Sequence, residues 1–186
     1  MKLFIKVLSH ELSPAKFEIL DENQNLIYKV YEKKSEWLWE NILRLTKFRA
    51  LMKYTLIIKD LQKDMEIYLE RKVSFFKPNY SLLNTDMDLL IKFNYKDFLG
   101  REWEIKNKYN ELVGKIRINK LFKLGERRVS LFDNQNRIIG FYQWKIRSIF
   151  FTKGSICFIN LLENKEIFKI SLLTFALIDI LFVQQR

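Results

Sequence analysis

Apolar and polar residues alternate with period two through much of the chain, and three stretches repeat one unit. They are Phe17–Asp21 with Leu26–Val30, Trp103–Asn107 with Leu112–Ile116, and Val129–Asp133 with Ile138–Tyr142. Each has an alternating strand, an Asn/Asp-rich turn, and a second strand that begins with two aliphatic residues. Period-two alternation marks half-buried strands, and Asp and Asn suit turns because their side chains bond nearby backbone and tolerate left-handed geometry. A fourth hairpin is expected about 59–64, between Tyr54–Ile58 and Met65–Arg71. Further strands are expected at Met1–Leu8, Asp88–Phe93, Ser155–Leu162 and from Glu166 towards Ile170.

The second strands have a phase. Leu112, Gly114, Ile116 and Ile118 share one face, opposite Val113, Lys115 and Arg117. Ile138, Gly140, Tyr142, Trp144 and Ile146 share another, opposite Phe141, Gln143, Lys145 and Arg147. Gly114 and Gly140 fall at matching inward positions. A glycine inside a strand marks either a bulge or the close approach of another element. The chain offers an element to approach: Leu172–Val183 is apolar all round, which fits a helix buried on every side. The 14 residues Ile170–Val183 fall short of the ~20 needed to span a bilayer. Burial inside a closed sheet accommodates that segment and removes the edges of about ten or more short strands.

A second helix is expected over Ser35–Arg49, capped by Ser35, with Glu36, Glu40, Arg44 and Lys47 on one charged face. Trp37 and Trp39 lie on its wide apolar arc. That arc either packs on the barrel or enters a membrane interface.

Repeated strand–turn–strand units, inward glycines and a terminal apolar helix together resemble the tubby C-terminal-like superfamily, which includes LURP-one-related and phospholipid-scramblase-like proteins. The resemblance runs from about Lys2 to Val183, and Asp179, late in the terminal helix, fits a habit of that superfamily. It implies a single domain over 1–186: a mainly β, closed antiparallel barrel of about twelve strands around a central C-terminal hydrophobic helix. It also implies a binding protein: tubby proteins hold phosphoinositide head groups through barrel Lys and Arg, and scramblase-like members associate with membranes. No local motif carries tubby lipid ligands onto particular residues here. No acidic calcium loop is present.

Charge adds a candidate surface. The chain has 33 Lys and Arg against 22 Asp and Glu, a net +11. Residues 101–154 hold 13 basic and 5 acidic side chains, whereas residues 155–186 are neutral overall. The outward phase makes Lys115, Arg117, Lys145 and Arg147 the leading candidates for binding anionic lipid, with Lys120 and Lys123 nearby and Trp37 and Trp39 as interfacial candidates. Each basic residue near an acidic membrane contributes about 1 kcal/mol. The competing explanation is a solvated face in a Lys- and Asn-rich composition, which the 13 Asn residues support. Nucleic acid is the alternative anion, since basic residues alternate with aromatics in Lys120-Leu121-Phe122-Lys123. A structural barrel with a protein partner is the third reading. The sequence does not fix an oligomeric state.

Enzymatic chemistry is poorly provided for. The chain lacks GxGxxG, P-loop, HExxH, GxSxG and CxxC patterns, so neither cofactor nor metal is expected. His10, the one histidine, reads as a polar connection after the first strand. Asp86 and Asp88, and Glu102 and Glu104, bring carboxylates together and could serve as acid/base pairs, though exposed strand charges are commoner. Cys157 sits between Ile156 and Phe158 and reads as a buried, inert thiol. A lone cysteine and no recognisable export signal point to a cytoplasmic location, peripheral to the inner membrane face where lipid is bound.

Overall fold

A computed structural model describes residues 1–8, 14–33, 54–72, 79–96, 102–119, 126–145, 156–163 and 165–183, with backbone only at 119, 126, 127, 145, 156, 182 and 183. The repeated unit recurs in it with one local chemistry. Asp21 Oδ1 accepts the N–H groups of Asn23 and Asn25, both at 2.8 Å. Asn107 Oδ1 does the same for Tyr109 and Glu111 at 3.0 Å, and Asp133 Oδ1 for Gln135 and Arg137 at 2.9 and 2.8 Å. The fourth residue of each turn is left-handed: Gln24, Asn110 and Asn136 have φ of 66°, 64° and 62°. One residue then bulges from each second strand, shifting the register at Ile19/Leu20, Ile105/Lys106 and Leu131/Phe132.

The same unit occurs a fourth time, at Asn84–Asp88, where the sequence indicates a strand but no hairpin. Asn84 Oδ1 accepts the Asp88 N–H at 2.7 Å, Met87 is left-handed, and the register shifts at Leu82/Leu83. The expected hairpin at 59–64 is present without a bulge, its turn held by Asp60 Oδ1.

These hairpins link twelve strands: β1 (Lys2–Val7), β2 (Lys16–Leu20), β3 (Leu26–Glu32), β4 (Tyr54–Asp60), β5 (Met65–Lys72), β6 (Asn79–Leu83), β7 (Leu89–Tyr95), β8 (Glu102–Asn107), β9 (Leu112–Asn119), β10 (Glu126–Asp133), β11 (Ile138–Lys145) and β12 (Ile156–Leu161). Every strand pairs antiparallel with the next, and β12 pairs with β1, closing the barrel. The five hairpins described above therefore all lie at one end.

The bulges correct the expected phase. Ile138, placed inward by simple alternation, is 49% exposed, while its neighbour Ile139 is 1% exposed. The extra residue reverses the alternation ahead of Gly140. Leu112 likewise lies beyond a bulge, opposite Lys106 rather than in phase with Gly114.

The second correction concerns Glu166–Ile170. It is helix, not strand: α1 spans Glu166–Ile178 and continues as a π-helical turn over Asp179–Val183. The twelfth strand is instead β6. The helix starts six residues before the fully apolar stretch, because Glu166 and Lys169 remain at the hairpin end, where Lys63 Nζ and Lys169 Nζ each reach Glu166 at 3.1 Å. From Leu172 to Ile180 every side chain is fully buried. The lumen is thus occupied by the helix. Phe175 meets the rings of Phe93 and Trp103 at 6.2 and 5.2 Å, and Tyr142 donates to Asp179 Oδ2.

The two inward glycines have different causes. A Cβ on Gly140 would lie 3.0 Å from Leu172 Cδ2, so this glycine admits the helix. A Cβ on Gly114 would lie 2.6 Å from the backbone oxygen of Phe132, so this one admits the neighbouring strand. Another element approaches closely at both sites, and a bulged residue, Val113 or Ile139, precedes each glycine.

The turn carboxylates make the fold acid-sensitive. Asn25 holds the Asp21 carboxyl below its ordinary value. Burial alone would raise Asp133, but the bonds from Arg137 and Gln135 outweigh it and lower it. Both are depressed in the folded chain. Their contribution is therefore complete above the ordinary value of 3.8 and is lost as pH falls below it, through the lower value each has in the folded chain. The melting temperature should hold from neutrality to about pH 5 and decline below about pH 4. Asp133→Asn, which keeps an acceptor oxygen, should make that decline shallower in a calorimetric pH series.

Candidate functional site

Strand register places the candidate cations. On β9, Gly114 and Ile116 point inward, so Lys115 and Arg117 point outward. β8 lies beside them with Glu104 opposite Lys115 and Glu102 opposite Arg117. Arg117 Nε is 3.1 Å from Glu102 Oε2, and Lys96 Nζ is 2.9 Å from Glu102 Oε1. The bonds from Lys96 and then Arg117 hold the Glu102 carboxyl below its ordinary range despite partial burial. Glu104 lies 3.6 Å from Lys106 Nζ. Glu102 and Glu104 do share a face, as two carboxylates one residue apart on a strand must. They are engaged by cations, which makes Glu102 a poor proton donor near neutrality.

On the other side of β9, Arg117 lies over the Phe132 ring of β10 at 4.9 Å, and Arg128 of β10 lies over Phe141 of β11 at 4.1 Å. Lys115 Nζ is 3.4 Å from Asn136 Oδ1. An arginine held over a ring covers that face of it. Lys145 occupies an outward register position, Cα partner of Glu126, with its side chain outside the described residues. Arg147, Lys120, Lys123, Trp37, Trp39, His10 and the whole expected helix at 35–49 also lie outside them.

Charge is divided around the barrel in a way that position in the chain does not reveal. The hairpin end, comprising 21–25, 60–64, 84–88, 107–111, 133–137 and 162–166, carries ten acidic and four basic residues. The other described residues carry eight acids against 17 bases. The three adjacent strands β11, β12 and β1 contain no Asp or Glu at all. Lys2 and Lys6 stand exposed on β1.

The other sequence candidates resolve simply. Cys157 is buried, and burial together with Asp179 pushes its thiol well above its ordinary value, so it is held as the unreactive thiol. Asp86 and Asp88 belong to the β6–β7 turn, where Asp88 is bonded to Asn84. Among the described residues, no group of three or more His, Cys, Asp or Glu could hold a metal ion. Among them, too, no helix is long and apolar enough to cross a membrane.

No family model matches the chain, and no curated protein does. The X-ray structure of the Arabidopsis thaliana protein AT5G01750 superposes with a TM-score of 0.50, over 94% of this chain and 88% of that one. The two share a fold. Their identity is 11%, so the likeness extends to architecture and carries no residue roles across.

Proposed function

We propose that the chain is a non-enzymatic barrel of the tubby-like, LURP-one-related kind that docks reversibly on anionic phospholipid, in the manner of a phosphoinositide reader, from a cytoplasmic, peripheral position. The observation that carries this is the segregation of charge: ten of the 22 acids are drawn to the hairpin end, beside a flank of three strands without one. A surface divided in this way presents a cationic side to an anionic plane and turns its acidic end from it. A helix that fills the lumen leaves the barrel's exterior as the place for ligands.

The guanidinium–ring stacks favour lipid over nucleic acid. Phe132 and Phe141 each carry an arginine over the ring. Those faces are closed to stacking bases, while the cations remain available to phosphate. Arg117 already pairs with Glu102, so its share of lipid contact is the smaller.

Co-sedimentation with phosphatidylcholine vesicles, with and without phosphatidylserine, tests the proposal. Binding should require the anionic lipid and weaken as salt is raised. Reversing Lys115, Arg117, Lys145 and Arg147 to Glu should lower partitioning by at least about tenfold, with circular dichroism reporting an intact barrel. Equal recovery on neutral and acidic vesicles would refute lipid docking. Tight oligonucleotide binding with a steep salt dependence would transfer the surface to nucleic acid.

A further inference from the structure

β1 and β12 lie at opposite ends of the chain and meet only where the barrel closes. Their outward side chains build a surface that neither strand announces alone. Phe4 and Phe158 are Cα partners, with ring centroids 5.2 Å apart at an edge-to-face angle of 72°. Phe158 is 49% exposed although it is central in its strand. Two residues further along β12, Asn160 lies between Lys2 of β1 and Phe141 of β11. Beyond Asn160, at the hairpin end, Leu162 is 62% and Ile138 49% exposed. The acids at that end are Glu163, 3.4 Å from Lys165 and 3.9 Å from Arg137, and Glu22, whose Oε1 accepts the Lys2 backbone N–H at 3.0 Å. Glu18 of β2, across from Lys6, is the acid at the opposite margin.

Resting on the membrane reading above, we infer that the Phe4–Phe158 pair is an interfacial anchor which enters the headgroup layer of an anionic bilayer, with Lys2 and Lys6 beside it on the lipid phosphates. Lysines flanking half-exposed rings on a strand face fit an interface that is apolar at depth and anionic at its surface. The outer face of a closed barrel is convex. A bilayer surface conforms to it. A second copy of the chain is a poor occupant, because an isologous contact would bring the Lys2 and Lys6 pair against cations of its own kind.

The experiment separates this inference from the broader one. Vesicles of phosphatidylcholine and phosphatidylserine are titrated at low and high salt with the wild-type chain, Phe158→Ser and the double variant Lys2→Gln/Lys6→Gln. Phe158→Ser should lower vesicle affinity about tenfold, by the same factor at both salt concentrations, because apolar burial is not screened. Lys2→Gln/Lys6→Gln should flatten the salt dependence instead. Phe158→Trp should add a blue-shifted emission component, quenched by lipids brominated in the upper acyl chain, to the emission of the four native tryptophans. Wild-type affinity retained by Phe158→Ser would overturn the anchor while leaving electrostatic docking intact. Absence of wild-type binding to acidic vesicles would overturn the docking itself. A wild-type dimer that Phe158→Ser dissociates would assign the face to a second copy and overturn the anchor.

Discussion

Phe175→Ala should lower the unfolding free energy by about 3–5 kcal/mol, a large share of the roughly 5–15 kcal/mol that holds a domain of this size together. Phe175 is fully buried on α1, with its ring against Phe93 of β7 and Trp103 of β8. Truncation removes the transfer energy of the ring and leaves a void. The surroundings can collapse into that void only to the extent that a closed ladder of twelve paired strands allows. A barrel without edges cannot slide one strand inward without breaking pairing on both sides, so the cost should lie high in the usual range for such truncations. Urea unfolding followed by far-UV circular dichroism measures it, as a fall in midpoint with little change in slope. Phe158→Ser provides the contrast, since its ring is half exposed and its loss should barely move the midpoint. A Phe175→Ala midpoint within experimental error of wild type would mean that the helix does not occupy the lumen.

That helix was the most legible element in the sequence. A dozen residues without a polar stripe admit few placements, and the repeated hairpins supplied the closed wall around them. Strand phase was legible up to the bulges and no further. Ile138 and Ile139 are chemically alike, and only the register at Leu131/Phe132 determines which of them points out. β6 escaped notice because Asn79-Tyr80-Ser81-Leu82-Leu83 is short and its alternation ends in two adjacent leucines. Its turn also places Met87, rather than Asn or Gly, in the left-handed position.

The candidate site was legible one strand at a time. Alternation along β9 correctly set Lys115 and Arg117 outward. It could not show that Glu104 and Glu102 stand opposite them, because pairing partners are a property of register between strands. The Phe4–Phe158 surface lay further out of reach, since its two halves are 154 positions apart and are joined only by closure. The acidic hairpin end was hidden for a related reason. Each turn is a modest local excess of acid, and the excess becomes a pole only when antiparallel order brings five turns to one end.

The glycines give the second large expected effect, and their ranking separates two kinds of close approach. Gly114→Ala should cost more than Gly140→Ala, with the first at about 2–3 kcal/mol in the range of overpacked cores. At Gly114 the obstacle is the Phe132 carbonyl oxygen, 2.6 Å from the new Cβ. That oxygen belongs to the main chain of the adjacent strand, so relief requires β9 and β10 to separate where they are hydrogen-bonded. At Gly140 the contacts are at 3.0–3.1 Å, and two of the three are the ends of Leu172 and Leu161 side chains, which can rotate. The third, the Asn160 oxygen, keeps the cost from vanishing. If Leu172 is the principal obstacle, then Gly140→Ala and Leu172→Ala are coupled: the double variant should be more stable than the sum of the single losses predicts, by about 0.5 kcal/mol or more. Gly114→Ala should show no such coupling with Leu172→Ala, because its obstacle lies in the wall and not in the helix. Equal costs at the two glycines, or additive behaviour for Gly140 with Leu172, would show that the helix does not press on β11 at this point.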